Sequence, residues 1–336
     1  MPERMADVDL LPGAEEEEIA RAAADYLAGE LPVTRCHRPD AELLSAEKRA
    51  EIAGLGWFGL SLPEAQGGVG LSAVDDIMLF IEAGRFLAPL GLLTSALAAR
   101  VAAEAGDEDL RSVTLSGGAQ VALGLAAPQD EGLLRLFDWK GASLVLLLGA
   151  DRASLHGFDA AAVTPVDCLD KTISMGTIGA DALTLRAEGG GLAALTGTLN
   201  AAAMLVGMAE AVLAMIVDYA KIRETFGRPI GAYQAVRHPC ADMAVRCEAA
   251  RAQLYAAAVS LRDGKADAAA QIAAAKLLAN QAAVRNADWN IQLHGGIAVT
   301  AEHDAHLYMK RANLLARLFG AERTLLHGLL DAKLAA

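Results

Sequence analysis

Aromatic residues are scarce, 4% of 336 residues against 54% hydrophobic residues overall. A chain so poor in rings and rich in alanine favours helices packed closely through small side chains over an all-β core. Basic residues are also short: 29 Lys and Arg face 42 Asp and Glu, a net charge of −13. Nucleic acid and anionic membrane both call for basic patches, so neither is an expected partner; a cytoplasmic protein is expected. Only four cysteines occur, Cys36, Cys168, Cys240 and Cys247, without Cys-x-x-Cys spacing or paired histidines. They read as reduced thiols, with Cys240 and Cys247 about two turns apart on one packed helix face. No metal site is expected. His303 and His306 flank Asp304, but nothing else nearby has ligand character, and an exposed helix start fits better. No signal peptide is expected, because no basic stretch and apolar core open the chain. Residues 199–216 and 266–284 are apolar, yet Asn200 and Glu210 in the first and Lys276, Asn280 and Gln281 in the second favour buried soluble helices over membrane spans.

The most informative stretch is Arg-Glu-Thr-Phe-Gly-Arg-Pro-Ile-Gly-Ala-Tyr-Gln, residues 223–234. It breaks two helical patterns, 199–221 and 235–261, and is too polar and too rich in Gly and Pro to continue either. An arginine fork, a hydroxyl, an exposed-type aromatic and a glutamine in one connector suit the phosphates of a nucleotide cofactor. The plain alternative is a packed turn with Arg223 in a salt bridge.

Helical periodicity fills the first third of the chain after a loose end at residues 1–11. The acidic run at 15–18 suits a helix start, Ser45 and Ser72 suit helix caps, and the glycines of 56–70 suit tight turns. From Ser112 short apolar runs bounded by glycine replace that periodicity, at 121–125, 144–148, 161–166 and 183–185, and read as strands. Gly189-Gly190-Gly191 then marks a return to four or five long helices. The expected architecture is mainly α with a small β domain: 1–111 helical, 112–188 a reduced β domain, 189–336 a helical bundle.

Three motifs in order resemble the acyl-CoA dehydrogenase family. They are Leu-Pro-Glu-Ala-Gln-Gly-Gly-Val-Gly at 62–70, the 223–234 connector followed by Ala-Asp-Met at 241–243, and Gln-Leu-His-Gly-Gly at 292–296 with Glu302 and Arg311 beyond. The resemblance implies an N-terminal helical domain, a middle β domain and a C-terminal four-helix bundle. It also implies that Arg223, Thr225, Phe226, Gln234, Gln292, Gly295 and Gly296 hold the adenosine and pyrophosphate half of an FAD seated mainly in a neighbouring subunit. His294 falls beside the glycines, where packing or adenine contact is expected rather than base catalysis.

Departures from the family are selective. Its α-proton-abstracting glutamate occupies one of two positions, and counting places Phe319 at one and Gly197, followed by Thr198, at the other. Gly320-Ala321-Glu322-Arg323 stands where the family contacts flavin with Gly-Thr-Ser. Residues 126–132 stand where its β domain carries Thr-Glu-x-x-x-Gly-Ser. Glu322 is the only weak substitute for the base. This pattern resembles the smaller subunits of bacterial heterotetrameric, steroid side-chain acyl-CoA dehydrogenases. The resulting expectation is an α2β2 complex oxidising an acyl-CoA, with a larger catalytic partner and electron-transfer flavoprotein as acceptor. Two alternatives stand beside it: a self-sufficient homo-oligomeric enzyme using Glu322, and a flavin-free structural or regulatory subunit.

Overall fold

The computed structural model describes residues 11–38, 44–126, 132–149 and 152–332. The loose end expected before Leu11 and most of the flavin-facing segment at 126–132 lie outside those residues. Five helices come first, each with a local reason to begin where it does. In α1 (Ala14–Glu30) the Glu16 carboxylate accepts the Gly13 N–H at 2.9 Å. In α2 (Ala46–Gly54) the Ser45 hydroxyl accepts the Lys48 N–H at 3.3 Å. Ser72 and Asp75 cap α3 (Ala73–Arg85) reciprocally, a capping box with Asp in place of Glu. Pro89 precedes α4 (Leu90–Ala105), and Asp107 caps α5 (Glu108–Leu115).

Seven strands form one mixed sheet: β1 (Val121–Ala126), β2 (Leu133–Phe137), β3 (Leu144–Leu148), β4 (Arg152–Gly157), β5 (Thr164–Val166), β6 (Met175–Gly179) and β7 (Thr184–Gly190). Their order is β5-β6-β2-β1-β3-β4-β7, with β1 and β3 parallel and all other neighbours antiparallel. Alternation along the strands separates two cores. Val121, Leu123, Leu144, Leu146 and Leu155 join the main core, which α4 shares, while Ala122, Leu136, Val145 and Ile178 form a second core on the opposite face.

The C-terminal part consists of α6 (Leu192–Ile222), the strands β8 (Glu224–Thr225) and β9 (Arg228–Pro229), α7 (Gln234–Arg262), α8 (Ala268–His294), α9 (Ala305–Leu315) and α10 (Glu322–Asp331). Among the described residues α6 is the one helix long and apolar enough to cross a bilayer, and 67% of its apolar window is buried inside the protein. Helix α6 starts earlier than the sequence reading has it, at Leu192, and β2, β4 and β6 are additional strands; three further differences have local causes. The change expected at Ser112 falls inside α5, because Leu110 and Thr114 give that helix a buried face. The 161–166 run opens as a 3-10 turn and pairs only from Thr164. Gly189 and Gly190 end a strand rather than begin a helix; Gly190 N–H donates to Glu104 of α4 at 2.7 Å, and a Cβ on Gly189 would lie 2.8 Å from the same carboxylate.

One crossing sets the spacing of the helical parts. A Cβ on Gly84 of α3 would lie 1.9 Å from the Met204 carbonyl oxygen, and one on Gly207 of α6 would lie 1.9 Å from that of Ile81. The two backbones therefore touch through reciprocal glycines. Gly207→Ala should lower unfolding stability by about 3 kcal/mol in urea titration, the upper end for overpacking. Gly54→Ala, whose Cβ meets nothing within 4 Å, should be neutral or stabilise by up to about 1 kcal/mol.

Candidate functional site

The 223–234 connector folds as a tight hairpin. Glu224 pairs with Pro229 and Thr225 with Arg228, leaving Phe226 and Gly227 as a two-residue turn with φ of 49° and 78°. Both positive angles match the turn that suits strand twist in hairpins. Ile230 N–H closes the loop onto the Arg223 carbonyl at 2.8 Å. The Tyr233 hydroxyl donates to the Thr225 carbonyl at 2.8 Å, and the Arg228 guanidinium stacks 4.2 Å over the Tyr233 ring. Phe226 is 96% exposed at the tip. Arg223 and Gln234 are exposed, and among the described residues neither side chain has a hydrogen-bonding partner. Arg223 forms no ion pair there, so the salt-bridged turn is not what the structure adopts.

The third motif arrives at the same end of the bundle. Helices α6 and α8 run parallel, joined through antiparallel α7, so their C-termini and the start of α7 share one end. The contact that pins them is a stack of His294 on Tyr219, 4.4 Å between centroids. His294 is buried and its Nδ1–H donates to the Asn290 carbonyl at 2.8 Å. Burial pushes its pKa down, and the ring packs inside the bundle. Gln292, Gly295 and Gly296 stand exposed beyond it, and Gly295 has φ of 73°.

Near the other end of α6, Gly197 and Phe319, the two positions that the resemblance assigns to a base, meet each other. A Cβ on Gly197 would lie 3.2 and 3.3 Å from Cδ1 and Cε1 of Phe319, and 3.0 Å from Leu97. Phe319 is buried, its ring lying on the glycine. Thr198 turns its hydroxyl back onto the Ala194 carbonyl at 2.9 Å. Glu322 stands exposed in the first turn of α10, accepting from Gln281 Nε2 at 2.8 Å. The adjoining seam between Leu90, Ile173, Met204, Arg311 and Leu318 has no room for a water molecule. A neighbouring polar chamber, with Ser61, Asp76, Arg100, Thr196 and Asn200 in its walls, holds about 10 Å³, roughly one water.

Two buried cations were not singled out as site residues from sequence. Lys276, fully buried, donates to Asn280 Oδ1 (2.6 Å) and to the carbonyls of Leu315 (3.2 Å) and Gly320 (3.3 Å). Burial pushes its pKa down to about 7. Arg311, named above only as part of the third motif, joins all three parts of the chain. It pairs with Asp170 through Nε, and donates to Thr172 (2.5 Å) and to the Ala88 carbonyl (2.9 Å). Burial raises the Asp170 pKa, but the guanidinium and Thr172 outweigh it and hold the carboxyl below its usual range. Asp304 is likewise less exposed than expected, paired with His37 Nε2 at 2.6 Å. In these cases the signal in the sequence is only a charge in an apolar helix, which does not say what it faces.

Comparison with known proteins settles the family. Residues 13–121 match the acyl-CoA dehydrogenase N-terminal domain and residues 191–330 the acyl-CoA dehydrogenase C-terminal domain. Acyl-CoA dehydrogenase IpdE2 of Mycobacterium tuberculosis is 33% identical over 276 residues, 82% of each chain. The chain belongs to the acyl-CoA dehydrogenase family. Among solved structures, a Tcur3481–Tcur3483 steroid ACAD variant is 26% identical with a TM-score of 0.79, covering 94% of this chain and 97% of that one. The ChsE4–ChsE5 complex from Mycobacterium tuberculosis aligns with a TM-score of 0.83 at 21% identity, over 97% of this chain and 100% of that one, a likeness of fold. FAD is the cofactor that family membership implies, and the chemistry is that of an oxidoreductase acting on acyl-CoA.

In this acyl-CoA dehydrogenase the buried hub sets a pH dependence. Asp138, at φ of 61°, accepts the Gly91 N–H at the start of α4 at 3.2 Å. Burial pushes its pKa up to about 6 from 3.8, against the pull of Arg311 and Gly91. A carboxyl raised on folding contributes stability that is full below its unfolded pKa and lost as pH climbs through the folded one. Asp138→Asn, which tolerates the same backbone, should therefore gain on the wild-type chain between pH 4 and 6. The gain, read from urea midpoints at each pH, should reach about 2 kcal/mol.

Proposed function

We propose that this chain is the smaller subunit of an α2β2 acyl-CoA dehydrogenase, holding the distal half of an FAD whose ring and substrate belong to a larger partner. The observation that carries the reading is separation along α6. From Gly197 to Ile222 the helix rises about 38 Å, further than an extended dinucleotide reaches. The connector that would bind phosphates and the cleft where a base would act therefore serve different flavins.

The residues at the connector end fit that half of FAD. Arg223 offers an unpaired planar fork for the pyrophosphate. Thr225, Gln234 and Gln292 offer further polar contacts, and Phe226 an exposed flat face. At Gly295 and Gly296 an added Cβ would meet nothing within 4 Å, leaving bare backbone for the adenosine end. FAD supplies the hydride acceptor when bound. This chain positions it and contributes no carboxylate at 197 or 319, so the partner abstracts the α proton. Likeness to the steroid ACAD favours a steroid-derived acyl-CoA as substrate, with electron-transfer flavoprotein as acceptor.

Expressed alone, the protein should be colourless and inactive; co-expressed with a larger family member it should be yellow and sediment as a heterotetramer. Within that complex Arg223→Ala should weaken FAD binding roughly 10- to 100-fold, the worth of a charge-assisted hydrogen-bonded contact. A yellow, active protein from this chain alone would exclude the reading.

A further inference from the structure

The turn between α9 and α10 carries more constraint than its position near the C-terminus requires. Phe319 and Gly320 have φ of 56° and 115° in succession. A bulky side chain in the left-handed region costs about 1–2 kcal/mol and persists only where its surroundings impose it. Those surroundings are two side chains of α8. The Gly320 carbonyl accepts from Lys276 Nζ at 3.3 Å and from Asn280 Nδ2 at 3.2 Å. The same ammonium reaches the Leu315 carbonyl at 3.2 Å, so one buried group brackets the turn at both ends.

Lys276 is a costly way to do this. It is fully buried, and its three acceptors are a side-chain amide and two carbonyls, none of them charged. A buried cation without a counter-ion destabilises unless each donor is satisfied, and an apolar residue of similar volume would cost less. Gly320 is confined from the other side, where a Cβ would lie 2.9 Å from Leu325. All of this fixes one outcome: the Phe319 ring lies against Gly197 and Leu97. Beyond the turn, Leu325 is the one buried residue of α10, so that helix alone does little to hold the ring in place.

We propose that Phe319 is a plug closing this chain's own acyl cleft, and that Lys276 and Asn280, acting through the Gly320 carbonyl, are the positioning residues that latch it. The location of that cleft rests on the family reading of positions 197 and 319. The latch does two things a simple loss of the base would not. It denies an acyl chain entry, and it leaves the partner's cleft as the one open route for substrate in the assembly.

The test uses the full chain without FAD or partner, so its failure is distinct from failure of the shared-flavin reading, which the co-expression experiment decides. Amide hydrogen exchange should rise about tenfold across residues 316–321 in Asn280→Ala and in Lys276→Met, with the cores of α6 and α7 unchanged. Unchanged exchange in the turn, or an equal rise throughout the bundle, would overturn the latch. Phe319→Gly removes the ring at a backbone angle glycine tolerates, and Phe319→Ala serves if that variant does not fold. Millimolar n-octanoate should raise the melting temperature of the unplugged chain and leave the wild-type chain unmoved. Equal shifts in both proteins, or none in the variant, would overturn the plug. Gly197→Ala should also destabilise the wild-type chain but not the Phe319→Gly chain; equal effects in the two backgrounds would remove the contact on which the plug depends.

Discussion

The close crossing of α3 and α6 is the constraint on which the rest of the structure depends. With hydrogen in place of a methyl at Gly84 and Gly207, each backbone reaches the other's carbonyls. Such contact concentrates dispersion and weak Cα–H···O attraction in a small area. It also fits a chain with few aromatics: Ala201, Ala202, Ala203 and Ala209 of α6 are all fully buried. A charged clamp fixes the crossing. Glu210 of α6 accepts from Arg85 of α3 at 2.8 Å and from Arg251 of α7 at 3.2 Å. Burial raises the Glu210 pKa while both guanidiniums pull it back.

With α6 held at its middle, its two ends become fixed points of different character. The C-terminal end opens into the Phe226 hairpin, the start of α7 and the glycine turn after α8, all lightly packed and polar. Towards the N-terminal end Gly197 lies between Leu97 and Phe319, close enough that a Cβ there would crowd both. The Arg311 hub then ties the sheet's Asp170 loop and the Leu87–Ala88 turn to the bundle. Removing one partner of such a buried pair leaves an uncompensated charge, so the three parts are committed to one arrangement.

Much of this was legible from residue patterns, and the parts that were not share a cause. The caps at Ser45 and Ser72, the acidic start of α1 and the strands read at 121–125 and 144–148 follow from local chemistry, which the chain expresses wherever it is placed. The three motifs carried the family. What local pattern does not carry is the partner across space. Strands β2, β4 and β6 hold Arg135, Arg152, His156 and Thr177 among their residues, so they lack the continuous apolar run by which the other strands are read. Gly84 and Gly207 look like weak points in helices until the facing carbonyls are known. Lys276 and Asn280 read as tokens of solubility, whereas they face a carbonyl forty residues on. The positions that the resemblance assigns to a base could be counted along the sequence, but not that the ring at one lies on the glycine at the other.

Backbone strain sharpens the same division. Among the described residues four non-glycines have positive φ: Leu87, Asp138, Phe226 and Phe319. The first two belong to the hub, where the Leu87 carbonyl accepts from Arg35 and Arg311 and Asp138 meets the start of α4. Phe319 recovers its strain by burying its ring against Gly197. Phe226 is the exception. It carries the same backbone cost with its ring 96% exposed, and among the described residues no contact repays it. Covering that ring would bury apolar area worth about 2 kcal/mol, enough to offset the strain, and the shared-flavin interface proposed above would supply the cover. The two strained phenylalanines thus stand in opposite settings along one helix: a ring turned inward against Gly197, and a ring turned outward to solvent at the hairpin tip.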